Sequence, residues 1–421
     1  MYLPILYILG NVHTALSMVA FLFLCFNFLA KGRDNVLIVS FLFIIIFGDS
    51  RQTELAFFKD LRIVGILVMM IATIRDLIKR KYRFRPLAFI VILFTILAFL
   101  SISQSPIKGT AVQKTISYSF LLFIVLHYWN FHIWKNSKTL YRDIILLVIL
   151  IYFIGLITYG LGMRISIFNT RFRGFFGNPN GHGIHATLFT MLLFFYLKAY
   201  PEVFSKRQKR IFFAILIACI LLCGSRNTLA SVLLFFFLLY FVGGGVFKKT
   251  IFFILVVPFA VSVVNLEFIV WIITKMGLSQ ELRIESILSG TGRFHAWEYA
   301  MSVYQDHKWL GRGFGYDQKL FEYGTLPEWL MKTGHQGDSH NSYIALLLNV
   351  GIIGLSTLLL FFIQLLRKVR YPGAGLAIGL GAGFSAFFEP WLSSSLNAYT
   401  ALLFLVILFA THFPKNRIRN I

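Results

Sequence analysis

Charged residues are scarce in this 421-residue chain, where Asp, Glu, Lys and Arg together occupy only 14% of the positions. A water-soluble domain carries about 25% charge, so the composition excludes a soluble globular enzyme. Acidic residues are the scarcer class, with 17 against 40 basic residues. The net charge of +23 would indicate nucleic-acid binding in a soluble protein. In so apolar a chain, positively charged cytoplasmic loops explain the net positive charge, and no nucleic-acid partner is predicted.

Cysteine is also rare, and the three cysteines, Cys25, Cys219 and Cys223, all lie within apolar runs. This placement excludes a disulfide framework. The sequence lacks the strand alternation that is typical of outer-membrane barrels. It also lacks a short hydrophobic stretch with a small-residue cleavage site before the first apolar run, so no removable signal peptide is predicted.

Hydrophobic residues make up 58% of the chain, and their apolar runs recur from end to end. Many runs approach or exceed the ~20 residues that cross a bilayer as a helix. The sequence therefore predicts an all-α polytopic membrane protein with 12 or 13 transmembrane helices. The predicted spans are 3–29, 35–48, 62–78, 86–103, 116–134, 143–162, 183–199, 211–223, 226–243, 250–273, 342–366, 373–388 and 396–412.

Basic residues cluster in every second connection between these spans. The clusters are Lys31 with Arg33; Lys79 to Arg85; Lys135, Lys138 and Arg142; Lys206 to Arg210; Lys248 and Lys249; Arg367, Lys368 and Arg370; and Lys415, Arg417 and Arg419. Such loops stay in the cytoplasm, so the pattern predicts a cytoplasmic C-terminus and, with thirteen crossings, an external N-terminus.

One of the remaining, extracytoplasmic connections is much longer than the others and covers residues 275–341. It contains seven basic and eight acidic residues with several Gly and Trp, which favours a folded cap over a disordered linker. Loops of this length are uncommon unless they are functional. The predicted organisation is therefore transmembrane helices over 1–274, a periplasmic cap over 275–341 and further transmembrane helices over 342–421.

The extracytoplasmic connection 163–182 is unusual because it carries arginines and no acidic residue. Arg171 and Arg173 precede a glycine-rich segment with Asn178 and Asn180, and an apolar helix follows. Glycines that admit a ligand to the backbone, a capping Asn and helix-start amides together suit a phosphate. The alternative is a loop whose arginines reach lipid headgroups.

A second unusual feature is Arg226 in Gly224-Ser225-Arg226-Asn227, between two apolar runs. A single helix over 211–243 would be about 50 Å long, against a hydrocarbon core of ~30 Å, so the chain must turn near Arg226. An arginine at such depth indicates a functional site unless it pairs with a carboxylate for structure alone. Gly48-Asp49-Ser50-Arg51 also ends a short span, which predicts either a thinned outer vestibule or a local ion pair.

The cap supplies three further candidates. Arg293 begins a predicted helical stretch, where the helix dipole also favours an anion. Arg312 lies in the glycine-rich segment Gly311–Gly315, and for both arginines the alternative is a solvated surface position. His340 lies beside the apolar helix from Ile344, where its neutral imidazole can accept a proton near neutral pH unless it is only structural.

Metal and covalent chemistry find little support in these segments. His335 and His340 lack the spacing of a helical metal site. Ser225, Ser339 and Ser342 are not in a Gly-x-Ser-x-Gly nucleophile turn. No metal and no other cofactor is predicted.

Four segments, taken in order, resemble the O-antigen ligase and polymerase superfamily of bacterial membrane glycan transferases. They are Gly177-Asn178-Pro179-Asn180; Ser225-Arg226; Gly292-Arg293 to Trp297 with Gly311–Gly315; and Ser339-His340-Asn341-Ser342-Tyr343 with Gly351-Ile352-Ile353-Gly354. The resemblance covers most of the chain but is specific only in these four places.

The resemblance implies a GT-C-like multi-pass protein of the bacterial inner membrane with its active site on the periplasmic side. The implied reaction is metal-independent, inverting transfer of a glycan from an undecaprenyl-diphosphate carrier to an acceptor sugar hydroxyl. Arg226 and Arg293 take the family's diphosphate-binding roles, and His340 takes the catalytic histidine role. The further candidates for binding substrate are Arg171, Arg173, Asn178, Asn180, Arg312 and Asn341.

This implication agrees with the chemistry of the residues. Arginine pairs bidentately with a phosphate, keeps its charge and so stabilises a diphosphate leaving group. The acceptor is either lipid A core, for a ligase, or a second lipid-linked glycan, for a polymerase, and we expect the ligase. A transporter or flippase of lipid-linked glycans is the alternative from another class, although transporters gather charge near the bilayer midplane rather than on one face.

Overall fold

A computed structural model of the chain describes residues 3–80, 86–242, 250, 293–322, 326–331 and 338–414. Helices dominate these residues, with one two-stranded hairpin formed by β1 (Ile167–Phe168) and β2 (Arg171–Phe172). The predicted span 250–273 after its first residue, the first part of the predicted cap and His335 lie outside the described residues.

Ten helices lie in the described residues up to 242. They are α1 (Leu3–Val12), α2 (Thr14–Ala30), α3 (Asp34–Gly48), α4 (Phe58–Arg80), α5 (Pro86–Ser101), α6 (Lys108–Ile124), α7 (Asn130–Gly160), α8 (Pro179–Ala199), α9 (Lys206–Leu222) and α10 (Arg226–Val242). Those described after residue 292 are α11 (Arg293–Tyr304), α12 (Tyr316–Leu320), α13 (Glu328–Met331), α14 (Ser342–Leu366), α15 (Ala374–Phe387) and α16 (Ala398–Thr411).

The predicted helical fold class is confirmed, and some of the described helices are long and apolar enough to cross a membrane. Within the described residues, three helical stretches are long and apolar enough to cross a membrane: Pro86–Gln104, Lys108–Gly160 and Ser342–Leu366. Five shorter apolar helices accompany them, namely α2, α3, α10, α15 and α16. The number of crossings and the side on which each loop lies stay predictions.

Two predicted spans differ from the observed helices. The run 3–29 divides into α1 and α2 at His13, whose extended backbone ends the first helix and whose Nδ1 accepts from the amide of Ala15. The predicted spans 116–134 and 143–162 lie on one continuous helical path, which passes through a π-helical turn at Val125–Trp129 and is kinked at Asn136.

Helices α8 and α16 form the centre of the molecule, since nearly every side chain along both is buried. A helix that is apolar all round belongs in the interior of a large helical protein. α8 packs against α16 and α10, α10 packs against α15, and α5 packs against α14. These contacts bring the starts of α8, α10, α14 and α16 to the same end of the bundle, where the candidate site lies.

The cap is joined to α14 where that helix is interrupted at Gly351, whose φ is +65°. The amides of Arg312 and Gly313 donate to the carbonyls of Leu348 and Asn349, and the amide of Ile352 donates to Lys308. A Cβ on Gly351 would lie 2.2 Å from the Trp309 carbonyl oxygen, so only glycine permits this approach. The predicted glycine motifs of the cap and of α14 therefore meet each other.

Candidate active site

The segment from Ser339 to Tyr343 sets the geometry of the site. Asn341 is buried and caps α14, because its Oδ1 accepts from the amides of Tyr343 and Ile344. Ser342 Oγ donates to the Glu389 carbonyl at 2.6 Å. The turn between α15 and α16 is thereby held against the start of α14, and Glu389 is brought beside His340.

His340 has a left-handed backbone, with φ of +46°, a conformation that non-glycine residues rarely adopt. Its amide donates to Asp338 Oδ1 at 2.7 Å, which stabilises the turn. Its Nδ1 lies 3.2 Å from Asp338 Oδ1 and 3.7 Å from Glu389 Oε2. Two carboxylates at Nδ1 favour the tautomer with the proton there, and Nε2 is then the basic position of the ring.

The environment of His340 acts on its basicity in opposing directions. Burial lowers the pKa of His340, but the nearby carboxylates of Glu389 and Asp338 raise it by more. The positive charge of Arg293 opposes this rise. The net result is a pKa above the usual 6.5.

Glu389 joins several of the predicted residues although the sequence interpretation did not select it. Its carboxylate is largely buried; Oε1 accepts from Asn180 Nδ2 at 2.8 Å and lies 3.5 Å from Arg293 Nη2. The sequence did contain a signal. Glu389 is the only acidic residue after Asp338, and Pro390 follows it between two apolar runs.

Arg171 connects this cluster to the turn at Arg226. Its Nη2 donates to Asn180 Oδ1 at 3.1 Å, and its Nε donates to the Cys223 carbonyl at 2.8 Å, just after α9 ends. Arg226, the first residue of α10, is exposed there. The predicted turn is therefore present, and a path of contacts runs from it through Arg171 and Asn180 to Glu389.

Three predicted residues have structural contacts outside this cluster. Arg173 is buried, donates to the carbonyls of Ile165 and Arg164, and has a pKa lowered by burial and by the charge of Arg51. Asn178 caps α8 by accepting from the Gly181 amide. Arg312 lies over the Tyr316 ring and donates to its hydroxyl at 2.7 Å.

The glycine-rich start of α8 makes close contacts within the protein. A Cβ on Gly183 would overlap the Thr228 side chain of α10, and a Cβ on Gly181 would lie 2.3 Å from the Tyr399 hydroxyl. The Gly177 amide donates to Asp49 Oδ2, which also accepts from Tyr399. The amides of Gly177 and Gly181 thus donate to protein side chains, Asp49 and Asn178. Asp49 accepts from Gly177 and Tyr399, whereas the sequence suggested an ion pair with Arg51.

A polar cavity of about 220 Å³ adjoins Asp338 and Glu389, the two carboxylates beside His340. Its lining includes Asp338, Glu389, Asn178 and Arg62. Within the part of the chain that the structure describes, no group of three or more His, Cys, Asp or Glu side chains is arranged to hold a metal ion. The cavity thus offers charged and amide groups to a polar ligand.

The comparisons with known proteins address the same segment of the chain. Residues 211–362 match a family model described as O-antigen ligase. This segment of the chain is similar to the O-antigen ligase family. No curated protein matches the sequence.

The resemblance to the O-antigen ligase and polymerase superfamily is therefore confirmed, and the match indicates glycosyl transfer. The matched segment contains Arg226, Arg293 and His340. Glu389 lies outside the matched residues but approaches Arg293 and His340. Asn180 and Arg171 also lie outside them; Asn180 donates to Glu389, and Arg171 donates to the carbonyl of Cys223 within the matched segment. The candidate site is thus assembled from the matched segment and from residues on both sides of it in the sequence.

Proposed function

We propose that the protein transfers a glycan from an undecaprenyl-diphosphate carrier to an acceptor sugar hydroxyl, at the periplasmic face of the bacterial inner membrane. The observation that carries this proposal is the position of His340. The His340 ring lies beside the carboxylates of Asp338 and Glu389, and Arg293 approaches the carboxylate of Glu389. His340 and Arg293 both lie in the segment that matches the O-antigen ligase family.

The arginines stabilise the diphosphate leaving group. Arg226 is exposed at the start of α10, where the helix dipole adds to its own charge, and Arg293 begins α11 in the same way. Guanidinium groups pair bidentately with phosphate oxygens and remain charged, so they stabilise the diphosphate as its bond to the sugar breaks. No metal is needed for that role.

His340 acts on the acceptor. Its Nε2 takes the proton of the acceptor hydroxyl while the oxygen attacks the anomeric carbon of the donor sugar. The bond from that carbon to the carrier diphosphate breaks, and the diphosphate leaves with the bonding electrons. Attack from the face opposite the leaving group inverts the anomeric centre. Glu389 and Asp338 hold the ring and stabilise its positive charge, as a carboxylate does for a catalytic histidine.

An apolar groove supports a lipid-linked donor. A cavity of about 420 Å³ lies between α14, α15 and α16, from Tyr343 and Trp391 near the site to Arg367 at the far end of α14. Its lining is almost entirely apolar and includes Gly379 and Gly383 of α15. The groove suits a polyprenyl tail whose diphosphate lies at the site end.

Purified protein in detergent, given a radiolabelled undecaprenyl-diphosphate glycan, tests the reaction class. Transfer of label to an acceptor supports a transferase. A flippase gives no covalent product there, because detergent leaves no two sides to transport between.

The acceptor is tested in the same assay. We propose lipid A core, which makes the protein an O-antigen ligase. Label found instead on a second lipid-linked glycan identifies a polymerase, and parallel reactions with each acceptor separate the two.

A further inference from the structure

A second cavity, of about 340 Å³, lies at the same end of the bundle and belongs to no part of the proposed reaction. It is enclosed by the starts of α4 and α6, by residues 315–318 of the cap and by the loop at 393–396. Three basic side chains line it: Lys59, Arg62 and Lys114. Segments far apart in sequence thus place three cations around one space.

The positive charge in this cavity is only partly compensated by protein groups. Arg62 Nη1 donates to the Leu396 carbonyl at 2.6 Å, but its buried Nε has no hydrogen-bond partner among the described residues. Lys114 Nζ donates to the neutral side chain of Gln318 at 2.7 Å. Asp49 and Asp60 act electrostatically on Arg62, and Asp317 acts on Lys114, but neither half-buried cation forms a direct ion pair among the described residues. An anion that contacts them directly would offset the cost of their partial burial.

Asp317 is the one acidic residue in the lining of this cavity. It is almost fully buried, and burial raises its pKa to about 6 although the charge of Lys114 acts against that rise. Its backbone amide donates to Asn349, which joins α12 to α14. Among the side chains that line the cavity, three cations face one carboxylate, and Asp49 and Asp60 add negative charge near Arg62 from outside the lining.

The basic cavity is adjacent to the polar cavity beside His340. Arg62 and Ser394 line both cavities. A ligand with one part in the basic cavity would therefore extend along Arg62 and Ser394 toward Glu389. Phosphate and carboxylate groups are the anions that lysine and arginine recognise in proteins.

We propose that this basic cavity binds a phosphate or carboxylate substituent of the acceptor glycan and so positions the acceptor hydroxyl next to His340. The assignment rests on the proposed transferase function. It adds the chemical class of the acceptor: a glycan that carries an anionic group near the hydroxyl that is glycosylated.

Binding of soluble probes tests the cavity without any transfer. Purified protein in uncharged detergent is titrated with mannose 6-phosphate, glucuronate and mannose, and the dissociation constants are measured by saturation-transfer NMR. We expect both anions to bind and mannose to bind at least tenfold more weakly. The double variant Lys59→Gln/Lys114→Gln should lose at least tenfold in affinity for both anions, because two of the three cations are gone.

The matched control is Lys108→Gln, which removes an exposed lysine at the start of α6 that does not line the cavity. We expect it to bind like the wild type. Thermal unfolding of each variant establishes that it is folded. Arg62→Lys keeps the charge but removes the Nε donor, so it should weaken binding less than the double variant.

Three outcomes would overturn the assignment. The first is anion binding that the double variant leaves unchanged, and the second is equal binding of mannose. The third is loss of anion binding in nanodiscs that contain phosphatidylglycerol, since a lipid headgroup is then the ligand.

The transfer reaction gives an independent result. With a phosphorylated acceptor the double variant should raise the acceptor KM at least tenfold and leave kcat near the wild-type value. With the dephosphorylated acceptor it should resemble the wild type. If the wild type transfers no glycan at all, the proposed function fails while the binding result stands by itself.

Discussion

At the scale of single residues, His340 illustrates how a half-buried imidazole keeps its basicity. Burial would make its imidazole a weak base, but Asp338 and Glu389 favour the protonated ring and more than compensate. The result is a base whose pKa lies above 6.5 and whose proton can be supported by two nearby carboxylates.

The pH dependence follows from this balance. Only neutral His340 accepts a proton, so kcat/KM should fall on acidification, with a midpoint above pH 6.5. Glu389→Gln removes a carboxylate that raises the pKa of His340, so the midpoint should move to lower pH. Initial rates measured from pH 5 to 9 with one donor and acceptor pair test both statements. A rate that rises on acidification would show that His340 is not the base.

His340→Ala should lose about 10²- to 10⁴-fold in turnover, the usual contribution of a general base, while the donor still binds through the arginines. The control is His335→Ala, five residues earlier in the chain, which we expect to be much milder. Turnover and donor affinity are measured separately. If His335→Ala is the inactive variant, the assignment of the base is wrong.

Arg226→Lys should be strongly impaired although the charge is kept, because an ammonium group cannot form the paired hydrogen bonds of a guanidinium with a diphosphate. Arg210→Lys, the same change on an exposed residue of α9, should transfer glycan normally. Membrane levels of both variants are compared by immunoblot. Near-normal transfer by Arg226→Lys would remove Arg226 from the leaving-group role.

The sequence predicted some of these residues because their chemistry is visible locally. His340 and Arg293 stand in polar segments with recognisable neighbours, and in the structure both approach Glu389. Glu389 was missed because its partners lie 49 and 209 positions away in sequence, at His340 and Asn180. Arg173 and Asn178 could not be separated from Arg171 and Asn180, because only the folded loop shows which of these side chains belong to the cluster that reaches Glu389.

At the scale of elements, the hydrophobic runs predicted the bounds of a helix accurately where polar residues mark its ends. The predicted span 342–366 coincides with α14, since Asn341 caps its start and Arg367 follows its end. The break between α1 and α2 was not predicted, because His13 interrupts a long apolar run and the nearby Gly10 lies within α1 rather than at the break. The interruption at Gly351 was likewise hidden within one apolar run.

Gly351→Ala tests how the cap is held on α14. Its Cβ would overlap the Trp309 carbonyl, and the positive φ is strained for alanine, so about 1–3 kcal/mol of stability should be lost locally. Hydrogen exchange at Arg312 and Gly313 should become faster because their amides donate across this contact. Gly109→Ala, on α6 with open space at its Cβ, is the control and should exchange like the wild type. Unchanged exchange at Arg312 in Gly351→Ala would show that the cap is held elsewhere.

At the scale of the whole molecule, the site is built from distant parts of the chain, and on the proposed function its basic groups neutralise the donor. We therefore expect transfer to persist in EDTA at the wild-type rate. The reaction is measured in purified protein with and without chelator. Abolition of transfer by EDTA, with recovery on addition of Mg²⁺ or Mn²⁺, would show that the carboxylates near His340 bind a metal in the working enzyme.

Trp391 has a consequence for the order in which substrates bind. It lines the apolar groove on one side and the polar cavity beside Glu389 on the other. On the proposed function, the carrier lipid and the acceptor glycan approach from different directions, so neither obstructs the other. Both must be present together before any bond is exchanged, and either can arrive first. We expect random sequential kinetics: double-reciprocal plots that intersect, with free undecaprenyl diphosphate competing against the donor and not against the acceptor.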